Sequence, residues 1–490
     1  MSGYSSDPCY RGAALSDPTP ESPSLAPSPG SPAVAGFLSF LFPGLGQLYV
    51  RRRRAAAVFA VPVLALTALV AVQSLGGIQY FAAQLIDPTF ALAALIVLSS
   101  LGLWRLISIG HAALIAEPPG RRMRPQVVMV VVILGLAVVI PHGVASYYAW
   151  SFYDAGKQIF QADALVPAAS PGPLMSAGTT AVTSPSPSDN GTFETPATAL
   201  PSPTADRVTF LLTGVDSGHD RAHALTDTML VASIDRQTKK AVMLSIPRDI
   251  SNFPLYSGGK FRGKINSLMS AAGNDPKRFP DGPVLTLTRE IGYLIGVPIN
   301  YYAAINLDGF QKMVDLVGGV DIVNPKQIDD PRYDWFDGTS GYKLSPGPHH
   351  LNGRNALAYV RSRQGVGDSD FTRAARQQQV LVALRAKLGT AALLEKLPDL
   401  LKVAAKTIRT DFPPGQVRDY LELANEVSDT AIVRHVLGPP YAVHPPTGKT
   451  GGIYTLVFDF KRLSKLSIKL FGDDSAYKTG APGSAPTVPK

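Results

Sequence analysis

The chain has 490 residues, of which 46% are hydrophobic and only 17% are charged, and its formal net charge is +9. The sequence contains no recognition helix and no stripe of basic and aromatic residues, so we predict no nucleic-acid partner despite the basic charge. Cys9 is the only cysteine, which excludes an intrachain disulfide and a zinc site built from cysteines.

Three N-terminal segments are apolar enough and long enough to cross a bilayer, which requires about 20 such residues. They cover about residues 55–76, 88–115 and 126–149. A shorter apolar segment, residues 35–50, is interrupted by Pro43. We expect this segment to be interfacial or re-entrant, with a fourth span as the alternative.

Basic clusters predict the orientation of these segments. Four arginines, Arg51 to Arg54, precede the first span, and the stretch RRMR, residues 121–124, separates the second span from the third. Arginines concentrate on the cytoplasmic side of membrane proteins. We therefore expect a multi-pass protein of the cell membrane, with the lipid bilayer as a partner and the chain beyond the third span outside the cytoplasm.

Composition divides the rest of the chain. The segment 1–34 is rich in proline and serine and predicts a disordered cytoplasmic tail, followed by a membrane module at 35–150. The segment 162–205 is rich in proline, serine, threonine and alanine and predicts an extended linker. We expect a globular domain at 206–475 and a disordered tail at 476–490.

The globular domain mixes apolar strands with helices. Strands are predicted at Val208–Asp216, Thr228–Asp235, Ala241–Asp249 and Tyr301–Leu307, with a late strand at Ile453–Phe460. A helix is predicted at Thr372–Gly389. Because strands and helices do not alternate strictly, we expect an α/β sandwich with a central mixed sheet covered by helices.

Two aspartates follow predicted strands. Asp216 ends one strand and Asp227 lies directly before the next. Two carboxylates with few other ligands suit Mg²⁺, with Mn²⁺ as a possible substitute, because Mg²⁺ keeps several waters and shares phosphate oxygens. Alternatively, Asp216 is a turn residue and Asp227 caps a loop.

Several arginines lie close to ends of predicted elements. Arg248 and Asp249 end the stretch SIPRD, and Arg361 and Arg363 are two residues apart in YVRSR. If YVRSR is extended, both side chains share one face. Two guanidiniums on one face suit a pair of phosphates, whereas surface ion pairs are the alternative.

The predicted helix at Thr372–Gly389 carries polar groups in its first turns. Arg373, Arg376 and Gln377 occupy positions that share a helix face, and a helix N-terminus favours an anion. We therefore add these three to the diphosphate-binding candidates. Asp370 is either the N-cap of this helix or a base.

With these residues in place, the globular domain resembles the LytR-CpsA-Psr family of cell-wall assembly proteins. Several blocks carry the resemblance, in the family's order: LLTGVDS, TDTMLVASID, SIPRD, KINS, YYAAINLDGFQKMVDLVGGVDI, LNGRNALAYVRSR and DFTRAARQQQVL. The resemblance implies a phosphotransferase that moves a glycopolymer from a polyprenyl-diphosphate carrier to peptidoglycan. It also implies an apolar pocket for the polyprenyl tail under the sheet.

The resemblance also implies roles for individual residues. Family acids that bind Mg²⁺ match Asp216 and Asp227, and diphosphate ligands match Arg248, Arg361, Arg363 and Gln377. We name Arg248, Asp249 and Asp370 as catalytic candidates, the two acids as possible bases.

The chain departs from the family pattern at two points. Leu225 stands where the family usually has an arginine, and at least three spans replace a single anchor. We predict that Arg221 bends back and supplies the missing charge to the diphosphate. Two alternatives to the transferase are a lipid-diphosphate pyrophosphatase and a non-catalytic membrane sensor or transcription attenuator.

Overall fold

The structure, a computed structural model, describes residues 30–75, 77, 82–118, 120–160, 206–216, 225–335, 337–388, 396–445 and 454–479. Residues 1–29 of the expected disordered tail at 1–34, the linker at 162–205, Arg221 and residues 480–490 lie outside the described residues. The expectation of disorder is wrong for the end of that tail, because a helix begins at Pro32. The chain divides into two compact units, Met1–Thr67 with Ser100–Pro141, and Ala68–Ser99 with His142–Lys490.

The described residues of the N-terminal region include five helices with defined bounds. They are α1 (Pro32–Leu41), α2 (Leu45–Tyr49), α3 (Arg53–Ser74), α4 (Pro88–Ala116) and α5 (Pro125–Ile159). Helices α3, α4 and α5 are long and apolar enough to cross a membrane. Helix α5 continues ten residues beyond the expected end of the third span at 149, to Ile159.

The segment at 35–50 forms two short helices, α1 and α2. Gly44 separates them with a φ of 103°, a conformation that few other residues adopt without strain. Within the first compact unit, Gln47 Nε2 donates to the backbone oxygen of Ser108 in α4 at 2.9 Å, and Ser39 Oγ donates to Gln47 Oε1 at 3.0 Å. These buried hydrogen bonds fasten the two short helices to α4.

The second unit contains a six-stranded mixed sheet in the order β11-β6-β1-β2-β3-β12. Its strands are β1 (Arg207–Asp216), β2 (Leu225–Asp235), β3 (Ala241–Ser245), β6 (Tyr301–Asn306), β11 (Ile408–Thr410) and β12 (Ile432–Val436). Strand β1 pairs antiparallel with β2 and parallel with β6. Peripheral two-stranded ribbons are formed by β4 (Ser251–Pro254) with β5 (Lys260–Lys264), β7 (Val320–Asn324) with β10 (Gly347–Leu351), β8 (Ile328–Asp334) with β9 (Ser340–Leu344), and β13 (Ala442–Val443) with β14 (Val457–Phe458).

Helices cover both faces of this sheet, because its strands carry buried side chains on both faces. They are α6 (Leu268–Asn274), α7 (Pro283–Ile295), α8 (Leu307–Leu316), α9 (Gly353–Arg361), α10 (Asp370–Leu388), α11 (Leu397–Thr407), α12 (Val417–Glu426), α13 (Phe460–Phe471) and α14 (Ala476–Thr479). Leu211 and Val215 of β1 enter the larger core with α6, α7 and α13. Helices α8, α9 and α10 form a second core with the ribbon strands. The expected α/β sandwich with a mixed sheet is confirmed.

Three local expectations are corrected. Arg361 ends helix α9 rather than lying in an extended stretch. The late strand contracts to Val457–Phe458, because the chain turns into α13 at Phe460. Residues 476–479, expected in a disordered tail, form a helical turn whose Ala476 is buried, and Tyr477 donates a hydrogen bond to the Leu294 oxygen at 2.9 Å.

Candidate active site

A cleft of about 620 Å³ lies between the sheet and helices α8, α9 and α10. Its floor is the sheet face that carries Leu212 and Gly214 of β1, opposite the face that enters the larger core. One end of the cleft is lined by charged side chains and the other by apolar ones. These two ends are built from different elements.

The polar end collects residues from strand ends and helix starts. Asp227 comes from β2, Arg248 and Asp249 follow β3, and Lys264 ends β5. From the other side, Arg373 and Gln377 come from α10, and Arg361 and Arg363 come from the end of α9 and the loop behind it. The structure thus brings residues from five separate sequence blocks into one site.

Arg248 is the centre of this arrangement. Its Nη1 lies 2.6 Å from Asp227 Oδ1, and its Nε lies 3.5 Å from Asp370 Oδ2 and 3.9 Å from Asp249 Oδ2. Burial works to lower the pKa of Arg248, but the charges of Asp227 and Asp370 outweigh it and raise that pKa. The guanidinium is therefore a fixed positive charge that orders three carboxylates around it.

Asp249 and Asp370 form an acid pair beside Arg248. Burial raises the pKa of Asp249, the Lys264 ammonium works against this shift, and a hydrogen bond with Asp370 adds to it. Lys264 Nζ lies 2.5 Å from Asp249 Oδ1. Asp370 is instead surrounded by arginines, with Arg373 Nη2 at 3.4 Å and Arg363 Nη1 at 3.8 Å. Both carboxyl groups therefore lie beside the Arg248 guanidinium, each with a further cation at its other side.

A buried aspartate positions the loop that carries Arg363. Asp330 Oδ2 accepts hydrogen bonds from Ser362 Oγ at 2.9 Å and from the backbone nitrogens of Arg363 and Gln364 at 3.1 Å each. Asp330 is only 2% exposed, so this anchor is shielded from water. Sequence reasoning missed both Asp330 and Lys264, since neither lies near its partner in the chain.

The three polar residues of α10 have different environments. Arg373 donates from Nη2 to the backbone oxygen of Asp227 at 3.2 Å, and Gln377 Nε2 donates to the Val360 oxygen at 3.2 Å; both side chains line the cleft. Burial lowers the pKa of Arg373. Arg376 does not line the cleft: its Nη1 pairs with Asp368 Oδ1 at 3.0 Å, and its guanidinium lies over the Tyr359 ring. Arg376 therefore ties α10 to the end of α9.

Carboxylate oxygens at this end fit a hard cation. Asp227 lines the cleft, and β1 runs beside β2 so that the backbone of Asp216 pairs with Leu225, two residues from Asp227. The Asp216 carboxylate lies outside the described atoms. Within the described residues there is no group of three or more histidine, cysteine, aspartate or glutamate side chains placed to hold a metal. A divalent ion here would depend on few protein ligands, which suits Mg²⁺ with its waters.

The described polar end carries net positive charge. Five cations, Arg248, Lys264, Arg361, Arg363 and Arg373, face three carboxylates, Asp227, Asp249 and Asp370, so five minus three leaves two positive charges. A diphosphate diester carries about two negative charges, and desolvated phosphates require such compensation. The charge of the site is complementary to that group.

The remaining length of the cleft is apolar. Leu307, Phe310 and Met313 of α8 face Leu381 and Leu384 of α10 across it, and Ile408 of β11 lines the same end. An elongated apolar cavity with a cationic end fits a ligand that has a hydrocarbon chain and an anionic head.

Comparison with known proteins identifies the family to which the globular domain is similar. The sequence profile of the LytR_cpsA_psr family matches residues 176–468. A polyisoprenyl-teichoic acid–peptidoglycan teichoic acid transferase, TagU of Oceanobacillus iheyensis, is 30% identical over 235 residues, which cover 47% of this chain and 68% of that protein. TagU of Bacillus mycoides is 31% identical over 216 residues, covering 44% and 64%. The crystal structure of TagV of Bacillus subtilis is 23% identical, with 55% of this chain and 96% of that chain covered and a TM-score of 0.44.

The mixed sheet and the cleft define an α/β protein whose apolar cavity ends in an arginine- and carboxylate-rich site. Because the family profile matches more than half of the 490 residues, the chain belongs to the LytR_cpsA_psr family. The family expected from the sequence blocks is therefore confirmed. Three helices long enough to span a membrane precede the family domain.

Proposed function

We propose that this protein is a membrane-anchored phosphotransferase that moves a glycopolymer from a polyprenyl-diphosphate carrier to peptidoglycan. One observation carries the proposal: a single cleft is apolar along one part and net positive at the other. That shape fits a lipid diphosphate, with the tail between α8 and α10 and the diphosphate among the arginines. The names of the TagU relatives, which describe transfer of a polyisoprenyl-linked teichoic acid to peptidoglycan, support it.

The chemistry is an exchange at phosphorus. An acceptor hydroxyl oxygen attacks the phosphate that carries the glycopolymer, and the bond from that phosphorus to the bridging oxygen breaks. The products are a phosphodiester to the acceptor and polyprenyl monophosphate, and the hydroxyl proton passes to the protein. Phosphoryl transfer depends mainly on positioning and on neutralising charge, which Arg248, Arg363 and Arg373 supply.

The acid pair Asp249–Asp370 takes the hydroxyl proton in this scheme. Both members lie beside Arg248, and burial raises the pKa of Asp249, which brings its ionised carboxylate closer to the strength of a useful base. Lys264 contacts Asp249 and opposes that rise. The sequence predicted either Asp249 or Asp370 as the base, whereas this scheme uses the two residues together.

Mg²⁺ is proposed as the cofactor, held by Asp227 and Asp216 with waters. When bound, it would neutralise charge on the phosphate oxygens. Asp227 also holds Arg248 at 2.6 Å, so this residue has a role in ordering the arginine whether or not the metal is present. Activity that survives a chelator unchanged would remove the metal from this scheme.

The site is proposed to face the outside of the cell membrane. The arginine clusters at 51–54 and 121–124 favour cytoplasmic loops, which leaves the C-terminal end of α5 on the opposite side. A periplasm- or surface-restricted reporter fused after Thr204 is expected to be active. Activity of a cytoplasm-restricted reporter at that position would overturn the placement.

Product analysis tests the proposal. Reconstituted protein receives a polyprenyl-diphosphate donor with a labelled glycan, with and without peptidoglycan fragments. We expect label on the acceptor through a phosphodiester and release of polyprenyl monophosphate. Labelled glycan phosphate formed equally without acceptor would assign a pyrophosphatase instead, and an intact donor under both conditions would favour the sensor.

A further inference from the structure

A separate apolar cluster joins the ends of the long helices to the globular domain, entirely within the second compact unit. From the helix ends it contains Ala91 of α4 and Phe152, Ala155 and Ile159 of α5. From the domain it contains Leu401 and Ala405 of α11. All six side chains are buried, with Phe152 only 6% exposed. We call this cluster the helix seat.

Two glycines allow close contacts between the turn that precedes α4 and its neighbours at the helix seat. A Cβ at Gly156 of α5 would lie 2.6 Å from the Ile86 oxygen and 2.9 Å from Pro88 Cγ, so only glycine allows this approach. A Cβ at Gly415 would lie 3.3 Å from Asp87 Oδ2. The turn before α4 is thereby held both by α5 and by the domain.

The helix seat adjoins the apolar end of the cleft. Ile408, which directly follows α11, packs against the seat and also lines the cleft. Helix α11 also packs on α8: a Cβ at Gly309 would lie 2.1 Å from Thr407 Cβ. Since α8 supplies Leu307 and Phe310 to the cleft wall, the seat and the tail end of the cleft share one rigid wall.

Aromatic side chains indicate where the bilayer surface lies relative to this seat. Tyr147, Tyr148 and Trp150 are exposed on α5 just before Phe152, and Tyr153 stacks near Trp150 with ring centroids 5.5 Å apart. Tyrosine and tryptophan concentrate at the boundary between hydrocarbon and water. Helix α5 has 35 residues and is about 52 Å long, well beyond the roughly 30 Å of hydrocarbon. Its last turns therefore emerge at the boundary where the helix seat lies.

We propose that the helix seat fixes the apolar end of the cleft against the bilayer surface, so that the polyprenyl tail passes from the bilayer into the cleft without crossing water. That the ligand's tail is a polyprenyl chain rests on the proposed function. Moving a long hydrocarbon chain through water is strongly unfavourable, and a fixed wall between α11 and α8 removes that step. The extra spans thus act as a support that aligns the cleft with its lipid substrate.

A disulfide across the seat tests whether it is fixed. Asp87→Cys with Gly415→Cys, in a Cys9→Ser background, places two thiols where the close approach occurs. We expect the disulfide to form in membranes and the oxidised protein to retain the turnover of the reduced one. Failure of the disulfide to form, or loss of turnover on oxidation that reductant restores, would overturn the proposal.

A second comparison separates this inference from the proposed function. Ala405→Glu is expected to raise the KM for a long-chain donor in vesicles by at least about tenfold relative to a short, water-soluble donor in detergent. Lys402→Glu, on an exposed part of the same helix, should leave that ratio unchanged. Equal effects of Ala405→Glu on the KM values of both donors would overturn the proposed role of the helix seat. Wild-type protein that transfers neither donor would instead overturn the proposed function.

Discussion

Lys264 affects the proposed proton transfer through its contact with Asp249. Its ammonium lies 2.5 Å from Asp249 Oδ1 and works against the burial that raises the pKa of Asp249. Lys264→Met removes this cation at similar length, so the pKa of Asp249 rises further. In the proposed scheme the ionised Asp249 carboxylate takes the proton, so the acidic limb of the pH–rate profile is expected to move to higher pH. Lys260→Met, at the start of the same strand, is the control; an unmoved limb in Lys264→Met would contradict the role of the pair.

Arg363 and Arg376 differ in what they touch, and their variants should differ accordingly. Arg363 lines the cleft and reaches Asp370, whereas Arg376 is buried against Asp368. Arg363→Ala is expected to lower kcat/KM by about 10²–10³-fold with little change in melting temperature. Arg376→Ala should lower the melting temperature, since it removes the charged partner of Asp368 and the donor to the Ser362 oxygen.

The control for both arginine variants is Arg354→Ala, on helix α9 and 51% exposed. It should change neither activity nor melting temperature by much. An early-melting Arg363→Ala protein that retains full specific activity would make Arg363 a structural residue.

At the scale of elements, Asp330 decides where the loop after α9 lies. Three hydrogen bonds converge on its Oδ2, so Asp330→Ala leaves the buried Ser362 hydroxyl without this acceptor, at a cost of about 1–3 kcal/mol, and releases the backbone of Arg363 and Gln364. The expected result is a raised KM for the lipid donor, because Arg363 is displaced. Asp330→Asn, which keeps one acceptor oxygen, should recover part of the loss, and Asp329→Ala on the exposed side should have no effect. Donor affinity unchanged in Asp330→Ala would exclude this positioning role.

Helix α7 carries a fully buried acid that affects stability rather than chemistry. Burial raises the pKa of Glu290 well above its ordinary value, while the Tyr256 N–H, which donates to Oε2 at 3.2 Å, opposes the shift. The folded state therefore holds a proton that the unfolded chain releases above its ordinary pKa of about 4.3, and stability falls as pH rises through this window. Glu290→Gln is expected to flatten the fall of melting temperature with pH, and exposed Glu422→Gln should not. Parallel curves for Glu290→Gln and wild type would contradict this.

The sequence predicted the presence of strands and helices better than the residues at which they end. The apolar stretches of β1, β2 and β3 identified three strands of the sheet, because a sheet covered on both faces favours continuous apolar runs. The end of α9 was missed, since Arg361 and Arg363 fit either an extended or a helical pattern and only packing of α9 on α8 decides. Residues 476–479 carry no strong pattern, and their order comes from tertiary contacts of Ala476 and Tyr477.

At the scale of the whole molecule, residue types at strand ends indicated where the site would form. Asp227, Arg248, Arg363 and Arg373 were predicted and do converge. Lys264 and Asp330 were missed because their importance arises only when distant segments meet. The long helices and the family domain were also recognisable separately, but the helix seat depends on small residues such as Gly156 and Ala405, which have no distinctive sequence signal.

The central claim is that the cleft holds a polyprenyl diphosphate, and mass spectrometry of lipid that copurifies with the full chain tests it most directly. Gentle extraction into nanodiscs followed by native mass spectrometry should show a bound species whose fragments contain a diphosphate, a polyprenyl chain and sugar. Arg248→Ala with Arg363→Ala should lose it, and Arg354→Ala should keep it. Ordinary phospholipid alone, or the same species retained by the double variant, would contradict the account.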